Sequence, residues 1–354
     1  MKLKLSIVPF YENQLRNEFF NICSSANRDN ALEPFIKLKK ILENREFKVN
    51  TVDVTPIRDS DFVCLFDLNL KYIIRAYLLG RINRCMYISF EPPVVNSLHS
   101  AKNLKRISNL FASVLTWQDD IVDNEKIFKF NFPIPNQSIV TNSISYANKN
   151  LITTIVGYKT SNKKDELYSQ RIEAIQYFEK ALPSNFDLYG KGWDENAYPS
   201  YKGSVAEKIP IMSNYKFTLC YENQHNIKGL ISEKIFDCFY AESIPIFWGA
   251  TNIKDYIPTE CFIDRLEFED YSSLIAHLTN MTEDEYNRRL VAIREFLRSD
   301  AYKNFSSESF VESIYSTIKL PERPRNLLKE TSSIIWLIAS KMLYKLNRKL
   351  FQGK

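Results

Sequence analysis

The chain has 354 residues, 45% hydrophobic and 25% charged, which allows two sizeable cores and sets it apart from disordered and fibrous sequences. Its formal charge of +5 sits at one end: seven basic residues and one acid lie between Arg325 and Lys354, leaving about −1 for the body, so no nucleic-acid partner is expected. Six scattered cysteines without C-x-x-C spacing, and only three histidines, point to buried free thiols in a reducing compartment and away from structural zinc.

Residues 4–9 read as a first strand, and the N-terminus lacks the apolar core and small-residue cleavage site of a signal peptide or anchor. A helix is expected over 33–42, and short apolar runs follow at 49–54, 62–66, 85–90 and 113–117. This alternation suggests a Rossmann-like half over residues 1–138. Asp59-Ser60-Asp61 has the spacing of a metal–diphosphate motif. It follows the turn sequence TPIR instead of an apolar strand, so a solvated turn is the better reading and no metal is expected. Glu91 ends the run CMYISF and precedes Pro92 and Pro93, which stop the strand and leave a carboxylate at its C-terminal end, where α/β sheets open their crevices. On the residues alone, a solvated glutamate at a loop start is the stronger reading.

Residues 139–150 are rich in Asn and Ser and read as a linker. A second alternation fills 151–324: the strand LITTIVG, an amphipathic helix over 167–181 and the strand FDLYG. Next comes the most informative stretch, YKFTLCYENQHNIKGLISEKIFDCFYAESIPIFWG, residues 215–249. It reads as strand, polar loop, helix, strand, with Ser232 at an N-cap position and Glu233 and Lys234 in the first helical turn. A strand feeding a helix N-terminus is a standard anion site, and a lysine there adds full charge, so a phosphate or diphosphate site is expected. Helices are expected over 272–278 and 284–297. The tail, 325–354, reads as a helix over 326–351 with Ile335, Ile338, Met342, Leu346 and Leu350 on one face. Its run IIWLIA is too short to span a bilayer. The basic amphipathic pattern suits the surface of an anionic membrane, or else a helix packed on the body.

The stretch 215–249 and its continuation ATNIKDYIP resemble the donor-binding signature of the α-1,3/α-1,4-fucosyltransferases, glycosyltransferase family ten, bacterial type. The match consists of the strand Tyr215 to Asn223, the helix start Ser232-Glu233-Lys234 and the strand Ile244 to Gly249, in the family's order. The resemblance implies a GT-B fold, with two Rossmann-like domains and a cleft between them. It implies inverting, metal-independent transfer of L-fucose from GDP-β-L-fucose to a glycan hydroxyl, with no cofactor beyond the donor. Glu91 then corresponds to the family's proposed base, and Arg171, in ELYSQRIEAIQYF, to an arginine on the donor phosphates. Lys234 is expected to face phosphate, and Glu233 to accept hydrogen bonds from donor hydroxyls. Tyr221, Glu222 and Asn223 close the donor-side strand, and Lys202 is a weaker donor-site candidate. Two departures stand out: Leu230 where many members have tyrosine, and Ser232 for the commoner threonine. The first leaves another nucleotide sugar open as donor. The expected acceptor is an N-acetylglucosamine- or glucose-containing glycan of lipopolysaccharide type, met by a cytoplasmic enzyme peripheral on the inner membrane face; the oligomeric state is not indicated.

Overall fold

The computed structural model describes residues 2–140, 144–318 and 324–351. The chain forms two compact units, one of Met1–Asn27, Leu32–Phe130 and Phe310–Lys354, the other of Arg28–Ala31 and Asn131–Ser309.

The first unit is built on a six-stranded sheet in the order β2-β1-β3-β4-β5-β6, every pairing parallel. Its strands are β1 (Leu3–Val8), β2 (Phe47–Thr51), β3 (Phe62–Phe66), β4 (Cys85–Ser89), β5 (Ser113–Thr116) and β6 (Ile127–Lys129). β4 and β5 are buried along their whole length, the mark of a parallel sheet covered on both faces. Helices α1 (Glu33–Asn44), α2 (Leu70–Leu78) and α3 (Ala101–Ile107) make the crossovers. At the C-terminal edge of the sheet the rings of Phe10, Phe19, Phe35, Phe66, Phe90, Phe130 and Phe310 form a continuous cluster, with neighbouring centroids 4.3–6.4 Å apart.

The second unit has a five-stranded parallel sheet in the order β11-β10-β9-β7-β8. The strands are β7 (Asn150–Ile155), β8 (Phe186–Tyr189), β9 (Tyr215–Tyr221), β10 (Ile244–Trp248) and β11 (Ile263–Asp264). The helices here are α4 (Tyr168–Ala181), α5 (Ile209–Met212), α6 (Glu233–Tyr240), α7 (Tyr271–Asn280), α8 (Glu283–Arg298) and α9 (Asp300–Lys303), followed by the start of α10 (Ser307–Ile318). The chain leaves β7 for β8 on one side and returns to add β9 on the other, so the strand order reverses between β7 and β9. Such a switch point opens a crevice beyond the carboxyl ends of its strands.

Three expectations on organisation need adjusting. The boundary between units falls at 130/131 and not at 138/139, because Ile134 already pairs with the second unit through a bridge to Ser306. Within the expected linker, residues 141–143 lie outside the described residues, whereas Val140 donates to the Tyr240 carbonyl and Tyr146 donates to that of Met281. The tail forms α11 (Leu327–Phe351), which belongs to the first unit. Its buried stripe is Ile334 and Leu337, flanked by Trp336 and Ile338. Ile335 and Met342, on the expected shared face, are 62% and 61% exposed. The side chains of Leu346 and Leu350 lie outside the described residues.

Candidate active site

β9 carries the site. Its last residues place Glu222 at the strand end, where the Glu222 N–H donates to the Trp248 carbonyl of β10. The side chain turns inward and is 1% exposed. A buried carboxylate needs matched donors. Glu222 has three: the Ser232 N–H at 2.9 Å, the Ser232 hydroxyl at 2.6 Å and the Lys234 ammonium at 2.7 Å. Gly249 makes the space, since a Cβ there would lie 2.7 Å from Glu222 Cγ. The string from strand to helix thus has a physical basis in one knot.

This geometry revises two expectations. Ser232 stands at the N-cap of α6, but its hydroxyl is turned to Glu222 and makes no capping bond. The N-terminus of α6 therefore meets a carboxylate of the protein itself. Likewise Glu166 accepts from the N–H groups of Tyr168 and Ser169 and closes the start of α4. Glu222 thus takes up one N–H at the start of α6, and Glu166 takes up two at the start of α4.

A cavity of about 540 Å³ lies at the β7/β9 switch point, wholly within the second unit. Of the residues expected at the donor, Arg171, Tyr221, Asn223, Glu233 and Lys234 line it. Glu222, Leu230, Ser232 and Lys202 are not among the lining residues. Leu230 is 2% exposed and packs in the interior, so its missing hydroxyl gives little support to a changed donor. Lys202 is half exposed, with its ammonium 3.4 Å from Asp187.

Six cations (Arg28, Lys159, Arg171, Lys191, Lys208, Lys234) and three carboxylates (Asp29, Glu233, Asp237) line the cavity, an excess suited to a diphosphate. Arg171 is 5% exposed, and burial lowers its pKa. One terminal nitrogen donates to the carbonyls of Tyr221 (2.9 Å) and Glu222 (3.1 Å), while Nε has no partner among the described residues. A buried guanidinium with an unmatched donor beside a cavity is poised for an acceptor from a ligand. Burial opposes the charge on Lys234, but the carboxylates of Glu222 and Glu233 outweigh it and raise its pKa. For Glu233, burial is outweighed by Lys234 and Lys208, and its pKa is lowered. Lys208 pairs with Asp237, whose carboxyl burial pushes up to about 6 despite that partner.

Sequence reasoning missed Lys159, Lys191, Lys208, Arg28, Asp29 and Asp237. A signal for the first two existed: Gly157-Tyr158-Lys159 lies one residue beyond strand β7, and Gly190-Lys191 directly follows β8. Gly190, at φ +131°, cannot be replaced without collision, because a Cβ would sit 1.9 Å from the Val156 carbonyl oxygen. Nothing in the sequence ties Arg28 and Asp29 to this site. Arg28 donates to the carbonyls of Val205 (2.5 Å) and Ala206 (3.3 Å) and so fastens residues 28–31 beside the cavity.

Glu91 lies in the first unit, half-buried just beyond β4. Beside it Asp67, after β3, accepts from the N–H groups of Phe90 and Glu91, yet burial raises its carboxyl to about 7. Asp61, of the D-x-D spacing, accepts from the Lys4 N–H at 2.7 Å and so fixes the start of β1. Among the described residues no three His, Cys, Asp or Glu side chains group as metal ligands.

Residues 148–309 match the model of the glycosyltransferase family 10 (fucosyltransferase) C-terminal domain. The α-(1,3)-fucosyltransferase of Helicobacter pylori is 34% identical over 76 residues, 21% of this chain and 16% of that protein. The α-(1,4)-fucosyltransferase of Arabidopsis thaliana is 34% identical over 73 residues, 21% of this chain and 18% of its own length. The stretches matched thus span less than a fifth of these two relatives. Among solved structures, an α1,3-fucosyltransferase with GDP-fucose superposes at a TM-score of 0.58 and 15% identity, covering 92% of this chain and 93% of that one. Anabaena Alr3699/HepE in complex with UDP superposes at 0.53 and 11% identity, covering 90% and 99%. Likeness at identities this low establishes the fold alone, GT-B, and the matched residues 148–309 lie in its second unit.

Two outcomes follow from the site's electrostatics. Lys234→Met strands the buried Glu222 carboxylate and should destabilise the protein by about 3 kcal/mol in urea unfolding, where a change under about 1 kcal/mol would contradict the knot. The raised pKa of Asp67 means that the native state holds a proton that the unfolded chain releases between about pH 4 and pH 7. Stability of the wild type relative to Asp67→Asn should therefore fall as pH rises through that window, by at most about 4 kcal/mol, in paired unfolding curves.

Proposed function

We propose that this protein is an inverting fucosyltransferase that uses GDP-β-L-fucose. The observation that carries the reading is the cation-rich cavity at the switch point, where Arg171 keeps an unmatched buried donor and Lys234 is held protonated. Leaving-group charge develops on the diphosphate as the bond from C1 of the sugar breaks. Arg171 and Lys234, with Lys159 and Lys191 lining the same cavity, are the groups that stabilise it, so the reaction needs no obligatory metal. Glu233 accepts hydrogen bonds from donor hydroxyls. The acceptor hydroxyl gives its proton to the Glu91 carboxylate as its oxygen bonds to C1 from the opposite face, and products are the α-linked glycan and GDP. The acceptor class is an N-acetylglucosamine- or glucose-containing glycan of lipopolysaccharide type, with an α-1,3 linkage favoured by the likeness to α-(1,3)-fucosyltransferases.

The tail supports a peripheral membrane setting. No described helix is long and apolar enough to cross a membrane. α11 leaves Leu327, Leu328, Ile335, Met342 and Leu343 exposed on a segment that also carries Lys329 and Lys341. Full-length protein should sediment with vesicles containing anionic lipid and be released by salt; equal binding to neutral vesicles at high salt would argue against an electrostatic anchor.

The deciding assay is nucleotide release from a panel of sugar nucleotides, with and without N-acetyllactosamine-type acceptors. GDP-fucose alone is expected to turn over, and Glu91→Gln should lower kcat by about 10²–10⁴-fold with GDP affinity unchanged. Turnover confined to a UDP-sugar would discard the fucosyl assignment.

A further inference from the structure

β4 ends at Ser89, and the polar backbone groups of the next two residues are all met by side chains. The N–H groups of Phe90 and Glu91 donate to Asp67 Oδ1 at 2.8 and 3.4 Å. The Phe90 carbonyl accepts from the Trp117 indole at 2.8 Å, and the Glu91 carbonyl accepts from His99 Nδ1 at 2.6 Å. These three side chains come from different places: Asp67 follows β3 in a left-handed conformation at φ +55°, Trp117 follows β5, and His99 ends the short 3₁₀ turn Ser97–His99.

His99 is itself fixed. A carbonyl only accepts, so Nδ1 carries the proton and Nε2 is the acceptor, receiving the Tyr87 hydroxyl at 2.5 Å and the Asn96 amide at 3.1 Å. The ring is wholly buried, and burial drives its pKa down to about 4, which keeps this neutral tautomer through the physiological range. Its own carbonyl accepts from Gln118 at 2.7 Å. On the other side of the peptide, the Phe90 ring is wedged between Phe10 and Phe130, with centroids at 5.1 and 4.9 Å.

Stopping a strand does not require this. β4 already ends at Ser89, and Pro92 and Pro93 keep the chain from resuming it. The buried His99 imidazole and the largely shielded Asp67 carboxyl are each held away from ordinary titration, which costs stability below about pH 6 for the first and above about pH 4 for the second, and such groups gather where geometry serves a reaction. A glutamate on an unsupported loop samples many orientations, whereas a misplacement of about 1 Å costs a reaction about 10²-fold.

We propose that Asp67 and His99, with Trp117, are positioning residues for transfer: they lock the Phe90–Glu91 peptide and so present the Glu91 carboxylate in one orientation to the acceptor hydroxyl. This inference rests on the reading of Glu91 as the base. Neither Asp67 nor His99 lies in the segment matched by the family model.

The test is a double-mutant cycle on the full-length protein, reading kcat, donor KM, GDP affinity and thermal midpoint. His99→Leu should lower kcat by about 100-fold while GDP affinity stays within about twofold. His99→Asn places an amide nitrogen where Nδ1 was and should recover at least about tenfold of that loss. In a Glu91→Gln background, His99→Leu should cost no more than about threefold further, because it acts through Glu91. Trp117→Phe, which removes the indole donor along with part of the ring, should lower kcat by about tenfold and serves if His99→Leu fails to fold. The inference is overturned if His99→Leu keeps kcat within about threefold of wild type, or if its loss multiplies with that of Glu91→Gln. It also falls if His99→Asn does no better than leucine while both lower the thermal midpoint alike. Transfer by Glu91→Gln at the wild-type rate would remove the base assignment itself. An inactive Glu91→Gln beside a normal His99→Leu would discard the positioning role alone.

Discussion

The buried carboxylate of Glu222 is the constraint on which the donor side depends. It accepts from the backbone and hydroxyl of Ser232 and from the Lys234 ammonium, and thereby ties the end of β9 to the start of α6. A charge taken out of water in this way is tolerated only when its partners are all in place. The knot therefore fixes register, helix position and lysine orientation together. Gly249 belongs to it as much as the polar residues do, since any side chain just after β10 would collide with Glu222. The strand, the helix start and the glycine are three parts of one packing solution.

Beside the start of α6, the cavity takes its character from charged side chains. Lysines that follow β7 and β8 and the guanidinium of Arg171 from α4 converge on the space opened by the change in strand order. The carboxylates set among them, Glu233 and Asp237 against Lys208 and Lys234, limit the positive potential and keep each cation fixed. An oriented, partly desolvated set of charges stabilises developing anionic charge without reorganising.

The first unit follows a different logic. Its sheet ends in a cluster of phenylalanine rings, and polar side chains then take over the backbone beyond β4. α11 joins this unit through Ile334 and Leu337, so one apolar stripe of the tail is spent on the fold and a second remains outside. The amphipathic pattern of residues 326–351 contains both stripes, and only packing distinguishes them.

Much was legible in the sequence because it depends on local periodicity. The parallel strands, the long helices α1, α4, α7 and α8, and the strand–helix–strand signature of 215–249 are encoded in alternation, helical spacing and a charged helix start, which act over a few residues. Glu91 stood out for the same reason, as a carboxylate between an apolar run and two prolines. What faces what was decided by tertiary structure. That Glu222 looks inward and Leu230 is packed away follows from how β9, β10 and α6 meet, not from their composition. Lys208, Asp237, and Arg28 with Asp29 reach one cavity through chain segments up to about two hundred residues apart, and no periodic signal spans that distance. The same holds for Asp67, Trp117 and His99, which follow β3, follow β5 and end a separate turn, and become a unit only because adjacent parallel strands bring their C-terminal ends together.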